Sequence, residues 1–144
     1  MKKVLLAGIV LSGILFISMN INSSVEKPEK YKKSCDGGNA AACNRLGLIY
    51  YAGSGGVKQD TLKAVELFIK ACDGGDATGC TFLGFMYNNG LGVEYDTLKA
   101  VAFYTKACNG GDTLGCKNLG IMYTKDESLK QSNSCPEVLS DKSK

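Results

Sequence analysis

Apolar residues recur along this chain at helical spacing, and the pattern returns at a fixed interval. Cys80, Leu83, Gly84 and Tyr87 stand 3, 4 and 7 positions apart, the spacing of one helix face. Cys43, Leu46, Gly47 and Tyr50 repeat it upstream, and Cys116, Leu119, Gly120 and Tyr123 downstream. Each run follows Asn39, Asp76 or Asp112. An Asx side chain there accepts from the free N–H groups of a first helical turn, so each of these residues is placed as an N-cap. A second pattern alternates with the first. Asp60-Thr-Leu-Lys-Ala-Val-Glu-Leu-Phe-Ile-Lys-Ala-Cys72 matches Asp96-Thr-Leu-Lys-Ala-Val-Ala-Phe-Tyr-Thr-Lys-Ala-Cys108. Here Leu62, Val65, Phe68, Ile69 and Cys72 form one expected stripe, with the lysines off it. Tyr31-Lys-Lys-Ser-Cys35 corresponds to the end of that helix without its start.

The first cysteine of each pair falls at positions 35, 72 and 108, so the period is 37 and then 36 residues. The extra residue belongs to Gly53-Ser-Gly-Gly-Val57, one longer than Gly90-Leu-Gly-Val93. A period in this range marks a repeat architecture in which each unit buries its apolar face against the next. The expected fold is all-α: an α/α solenoid of helix-turn-helix repeats. Gly74-Gly75 and Gly110-Gly111 end the second helices, as glycine does just past a helix C-terminus. Gly47, Gly84 and Gly120 fall inside the first helices at one register, where glycine costs about 1 kcal/mol against alanine. That repeated cost predicts a neighbouring helix crossing too close for a Cβ.

The repeats run from Tyr31 to Thr124, about two and a half units. Residues 125–144 form a polar tail with a short capping helix expected around Glu127 to Gln131. Residues 1–24 have the parts of a secretory leader: Lys2 and Lys3, an apolar run from Val4 to Ile17, then a small polar stretch. The run is shorter than the roughly 20 residues of a membrane span. Cleavage is expected between Asn20 and Val25; the alternative is an uncleaved anchor. Residues 25–30 are assigned to a linker. The protein is therefore expected to be secreted or periplasmic, and off the membrane after cleavage.

Charge and composition narrow the chemistry. The chain of 144 residues carries 17 basic and 14 acidic side chains, and two of the positives lie in the leader. That near-neutral balance is no nucleic-acid footprint, which needs a basic patch or stripe. With no histidine in the sequence, Ser-His-Asp and Cys-His catalysis and histidine-ligated zinc drop out together. Neither a metal site nor a cofactor is expected.

Seven cysteines behind a leader point to an oxidising compartment. The three equal Cys-x7-Cys spacings predict Cys35–Cys43, Cys72–Cys80 and Cys108–Cys116. Closing about nine residues contributes roughly 2.5 kcal/mol per bond on the chain-entropy model. The spacing fits neither the Cys-x2–4-Cys of structural zinc nor the Cys-x-x-Cys of a redox enzyme. Cys135 is left over. A free thiol, an intermolecular disulfide that dimerises the protein, a reshuffling partner and a tail cysteine with no role in the fold all stay open.

Leu-Gly-x-x-Tyr, then Gly-x-Gly-Val, then Asp-x-x-Lys-Ala-x3-[Phe/Tyr]-x-x-Ala resembles the Sel1-like repeat, a longer relative of the tetratricopeptide repeat. With its Cys-x7-Cys clamps the chain is similar to the Helicobacter cysteine-rich proteins, secreted solenoids. The resemblance covers about Tyr31 to Thr124. It implies a concave face that binds peptides, lined by positions of the first helices not spent on the core. In this chain they are Asn44, Leu48, Tyr51, Thr81, Phe85, Asn88, Lys117, Ile121 and Thr124. The expected ligand is a peptide, a protein or a peptidoglycan-like cell-wall fragment. For Leu48, Phe85 and Ile121 the alternative is a place in the core between repeats.

The resemblance also implies an alternative function, since members of that family carry a β-lactamase or penicillin-binding label. A serine β-lactamase needs Ser-x-x-Lys together with Ser-Asp-Asn and Lys-Thr-Gly. Ser24-Val-Glu-Lys27 matches the first of these, but it lies at the leader junction, outside any repeat, and the other two are absent. No catalytic residue is assigned.

Overall fold

In a computed structural model of the protein, residues 27–126, Ser128 and Leu129 are described. They form six α-helices: α1 (Pro28–Asp36), α2 (Ala40–Ala52), α3 (Thr61–Asp73), α4 (Ala77–Asn89), α5 (Thr97–Asn109) and α6 (Thr113–Lys125). The expected leader, with Ser24, and the tail cysteine Cys135 lie outside the described residues. α1 begins at Pro28, inside the stretch assigned to a linker. Proline has no N–H to lose at the first helical position and a φ already suited to it. Pro28 is buried there.

The Asx caps at Asn39, Asp76 and Asp112 form as their positions predict, and Asp60 and Asp96 cap the helices between them. The side chains of Asn39, Asp60, Asp76 and Asp96 accept from the amides of Ala42, Lys63, Gly79 and Lys99 at 2.9, 3.0, 2.8 and 2.9 Å. Asp112 accepts from Leu114 and Gly115 at 2.8 and 3.3 Å. Each cap satisfies donors that a helix start leaves without an intrahelical partner.

Each helix packs on its neighbours in sequence; α2 also packs against α4, and α4 against α6, whereas the backbones of α3 and α5 stand apart and an exposed Lys106–Asp73 ion pair at 3.4 Å bridges them. A stack whose inner helices touch while its outer helices stand apart bends towards the inner layer. α2, α4 and α6 therefore line the concave side.

The outer helices bury two faces rather than the single expected stripe. In α3, Val65, Phe68 and Cys72 pack with α4, and Leu67 and Ala71 pack with α2. Leu62 and Ile69 fall between these faces and are 66% and 38% exposed. A helix wedged between two others needs apolar residues on two sides, and a one-sided pattern misplaces those at the edge. The Phe68 ring joins both neighbours. It stacks on Phe82 of α4 at 5.2 Å, and a Cβ on Gly47 of α2 would lie 2.7 Å from it. Tyr104 takes the same place in α5, 2.8 Å from a Cβ on Gly84. These two glycines thus mark helix crossings, as their register predicts.

The three disulfides form as the spacing predicts, with Cα–Cα distances of 4.6, 4.6 and 4.5 Å for Cys35–Cys43, Cys72–Cys80 and Cys108–Cys116. Each joins the last turn of one helix to the first turns of the next inner helix. Three staples in so small a fold fit an oxidising, extracytoplasmic compartment. No helix among the described residues is long and apolar enough to cross a membrane. After α6, Asp126 starts a further turn, accepting from the Ser128 amide at 2.9 Å, and Leu129 is buried against Tyr104, Leu119, Met122 and Tyr123.

Candidate functional site

The concave layer carries the nine residues picked from the sequence, but not all of them face outward. Asn44 and Thr81, each the first of the candidates on its helix, are buried at 7% and 2% exposure. They lie between inner helices instead of on a free surface. The Asn44 amide donates to Asp76 Oδ1 of the next inner helix at 3.4 Å. The Thr81 hydroxyl donates to the Ala77 carbonyl at 3.4 Å and lies 2.9 Å from a Cβ built on Gly115 of α6. The close approach of α2, α4 and α6 to one another takes these positions into the stack. Lys117 and Thr124 are exposed. Thr124 turns its hydroxyl onto the Ile121 carbonyl at 2.8 Å.

The other five line two depressions. Leu48 and Tyr51 border a shallow one of about 310 Å³ with Arg45, Ile49, Ala52 and Ser54. Phe85, Asn88 and Ile121 border a larger cleft of about 440 Å³ between α4 and α6. The Tyr51 ring meets the Phe85 ring edge-on at 6.3 Å, which ties the two depressions together. Phe85 is half-buried and packs against the central core as well.

The cleft also draws in residues that the sequence reading did not single out. Asn89, Tyr95, Thr97, Tyr104, Asn118, Met122, Lys125, Asp126 and Leu129 complete its lining. Tyr95 and Thr97 flank Asp96, the N-cap of α5, and the Thr97 hydroxyl donates to the Tyr95 oxygen at 2.8 Å. Asn118 occupies the register at which α4 has Phe82. The aromatic stack of Phe68 on Phe82 is replaced one repeat later by a hydrogen bond between Tyr104 and Asn118. Burial pushes the Tyr104 phenol above its ordinary value, and the Asn118 hydrogen bond offsets part of that shift. An amide standing where the preceding repeat has an aromatic is the trace this site leaves in the sequence.

Chemically the cleft has an apolar floor and a neutral polar rim. Phe85, Ile121 and Met122 offer apolar surface. Asn88, Asn118, Tyr95 and Thr97 offer amide and hydroxyl donors and acceptors. Lys125 and Asp126 place one charge of each sign at its edge. The Asp126 carboxyl is held below its ordinary value by hydrogen bonds from the Ser128 hydroxyl and amide. Among the described residues no group of histidine, cysteine and carboxylate side chains is placed to hold a metal ion.

Comparison with known proteins gives these features a family. The Sel1 repeat profile matches residues 40–76 and 77–112. No curated protein matches the chain. Among solved structures, the chain is 34% identical to Helicobacter pylori cysteine rich protein B. That match covers 64% of this chain and 68% of that one, with a TM-score of 0.61. It is 36% identical to c5321, a protective antigen of uropathogenic Escherichia coli strains with an SLR fold, over 66% of this chain and 20% of that one (TM-score 0.63). It is 31% identical to a Sel1 repeat protein from Oxalobacter formigenes, over 68% of this chain and 40% of that one (TM-score 0.64). The chain thus spans a fifth and two fifths of these last two proteins. The doubled profile match, the paired inner and outer helices and the three disulfide staples together make this chain a member of the Sel1 repeat family.

Proposed function

We propose that this protein is a binding module. It takes a peptide segment, free or part of a protein, in the concave cleft between α4 and α6. The observation that carries the reading is the composition of that cleft. Its size, about 440 Å³, lies within the range of small-ligand sites. Phe85, Ile121 and Met122 would receive one apolar side chain. The amides of Asn88 and Asn118 would pair with the peptide groups on either side of it. Neutral donors and acceptors around an apolar floor suit a backbone, which presents both and carries no net charge. The curvature of the stack supports the same reading, because it lets a ligand touch successive inner helices.

Ile121 gives the sharper test of this cleft. It is 42% exposed, so its truncation removes contact surface without opening the core. Phe85 is the less suitable probe, because its packing against the core mixes stability with binding. A displayed library of random peptides, selected on the immobilised oxidised protein, should enrich binders. Their affinity should fall about tenfold or more in Ile121→Ala and in Asn88→Ala, a loss of about 1.4 kcal/mol or more, while the melting temperature hardly moves. Enriched peptides that bind both variants as well as the parent, or a selection that enriches none, would refute this assignment of the cleft.

A further inference from the structure

We propose that Cys108–Cys116 is a thiol–disulfide exchange site that an external dithiol opens while the other two staples stay closed. The starting observation is unequal cover. Cys35, Cys43, Cys72 and Cys80 are 6%, 3%, 1% and 2% exposed. Cys108 and Cys116 are only half-buried. The stacking order explains the difference. Cys43 shares a core cluster with Leu67 and Ala71 of α3, and Cys80 shares one with Ala107 of α5. In both cases the outer helix that follows the staple covers it. No outer helix follows α6 among the described residues, and a Cβ on Gly120 would meet nothing within 4 Å. Exchange requires a thiolate to reach a disulfide sulfur, so access decides which staple reacts.

A thiolate of the dithiol attacks Cys108 Sγ, a mixed disulfide forms there, the Cys108–Cys116 bond breaks, and Cys116 leaves as a thiolate. Cys116 lies in the first turn of α6, at the positive end of the helix, which stabilises that leaving group. Cys108 lies in the last turn of α5, where a thiolate is disfavoured. The second thiol of the reagent then displaces Cys108, which takes a proton from solvent, and the reagent departs as its own disulfide. Two electrons pass from the dithiol to the protein.

The consequence falls on α6. This helix supplies Asn118, Ile121, Met122 and Lys125 to the cleft. With the staple open, its contacts with α4 and α5 and the turn at Leu129 are what hold it among the described residues. The effect on ligand rests on the binding reading above, whereas the exchange itself does not, so the experiment is read without ligand.

Oxidised full chain is treated under native conditions with limiting dithiothreitol, quenched with acid, alkylated and mapped by mass spectrometry. Cys135→Ser is run in parallel to keep the seventh cysteine out of the exchange. Cys108 and Cys116 should become labelled about tenfold faster or more than the other four, whose access requires unfolding. Equal rates, or earlier opening of Cys35–Cys43 or Cys72–Cys80, would overturn the proposal. Hydrogen exchange on the selectively reduced protein should show faster exchange of the amides from Leu119 to Lys125, with α2 to α4 unchanged. Unaltered protection of α6 after reduction would overturn the link to the cleft.

Discussion

At the scale of single residues, one glycine register has opposite consequences at two places in the stack. Gly84 and Gly120 occupy equivalent positions in α4 and α6. A Cβ on Gly84 would lie 2.8 Å from the Tyr104 ring, which is itself only 2% exposed and has little room to retreat. Gly84→Ala should therefore destabilise by about 1–3 kcal/mol through overpacking. A Cβ on Gly120 meets nothing within 4 Å, so Gly120→Ala should stabilise by about 0.5–1 kcal/mol, the helix-interior difference between the two residues. Urea unfolding of the two variants checks both signs. Equal shifts in the same direction would mean that the crossing at Tyr104 is not what selects glycine. The Tyr104 phenol has a measurable role as well. Its folded-state pKa is raised, chiefly by burial, so the unfolded phenol ionises first. The stability it contributes is fully present below the ordinary tyrosine value of about 10 and is lost as pH rises towards the folded value. As pH rises above about 10 the parent should lose stability more steeply than Tyr104→Phe, as read from urea midpoints; parallel slopes would contradict it.

The helices behave as units with one or two buried faces, and the difference decides which leucines matter. Leu62 and Leu67 belong to the same helix, and the one-sided stripe read from the sequence contains Leu62 but not Leu67. The structure reverses their weight. Leu67 is 6% exposed and packs with α2, whereas Leu62 is 66% exposed. Leu67→Ala should cost about 2–5 kcal/mol, and Leu62→Ala should stay within about 0.5 kcal/mol of the parent. Comparable thermal shifts for the two would restore the single stripe. The caps and turns of the same helices were legible without coordinates, because an Asx residue at an N-cap and a glycine at a helix end act within four or five residues of chain. The second buried face was not. Ala71 is fully buried there, yet alanine is a weak hydrophobic marker, and only the approach of α2 shows that it lies in an interface.

At the scale of the whole molecule, curvature turns a repeated pattern into a site that is not repeated. The cleft forms between α4 and α6 because Asn118 stands at the register where α4 has Phe82 and because the chain turns back at Asp126 to bury Leu129. The sequence by itself determined the repeat period, the alternation of inner and outer helices, the three disulfide pairs and the glycine crossings at Gly47 and Gly84. All of these rest on local spacing or on one register returning three times, and such signals survive in a linear string. Phe85, Asn88 and Ile121 could also be placed on the inner helices by counting turns. Tertiary structure alone decided that Asn44 and Thr81 are consumed between inner helices. It likewise decided that Leu62 faces solvent and that Tyr95, Thr97 and Asn118 join Phe85 around one cleft. Each of those outcomes depends on how closely two helices distant in sequence approach, and on the sign of the bend that their contacts impose. Helical periodicity gives the direction of a side chain around its own axis but carries no information about what stands opposite.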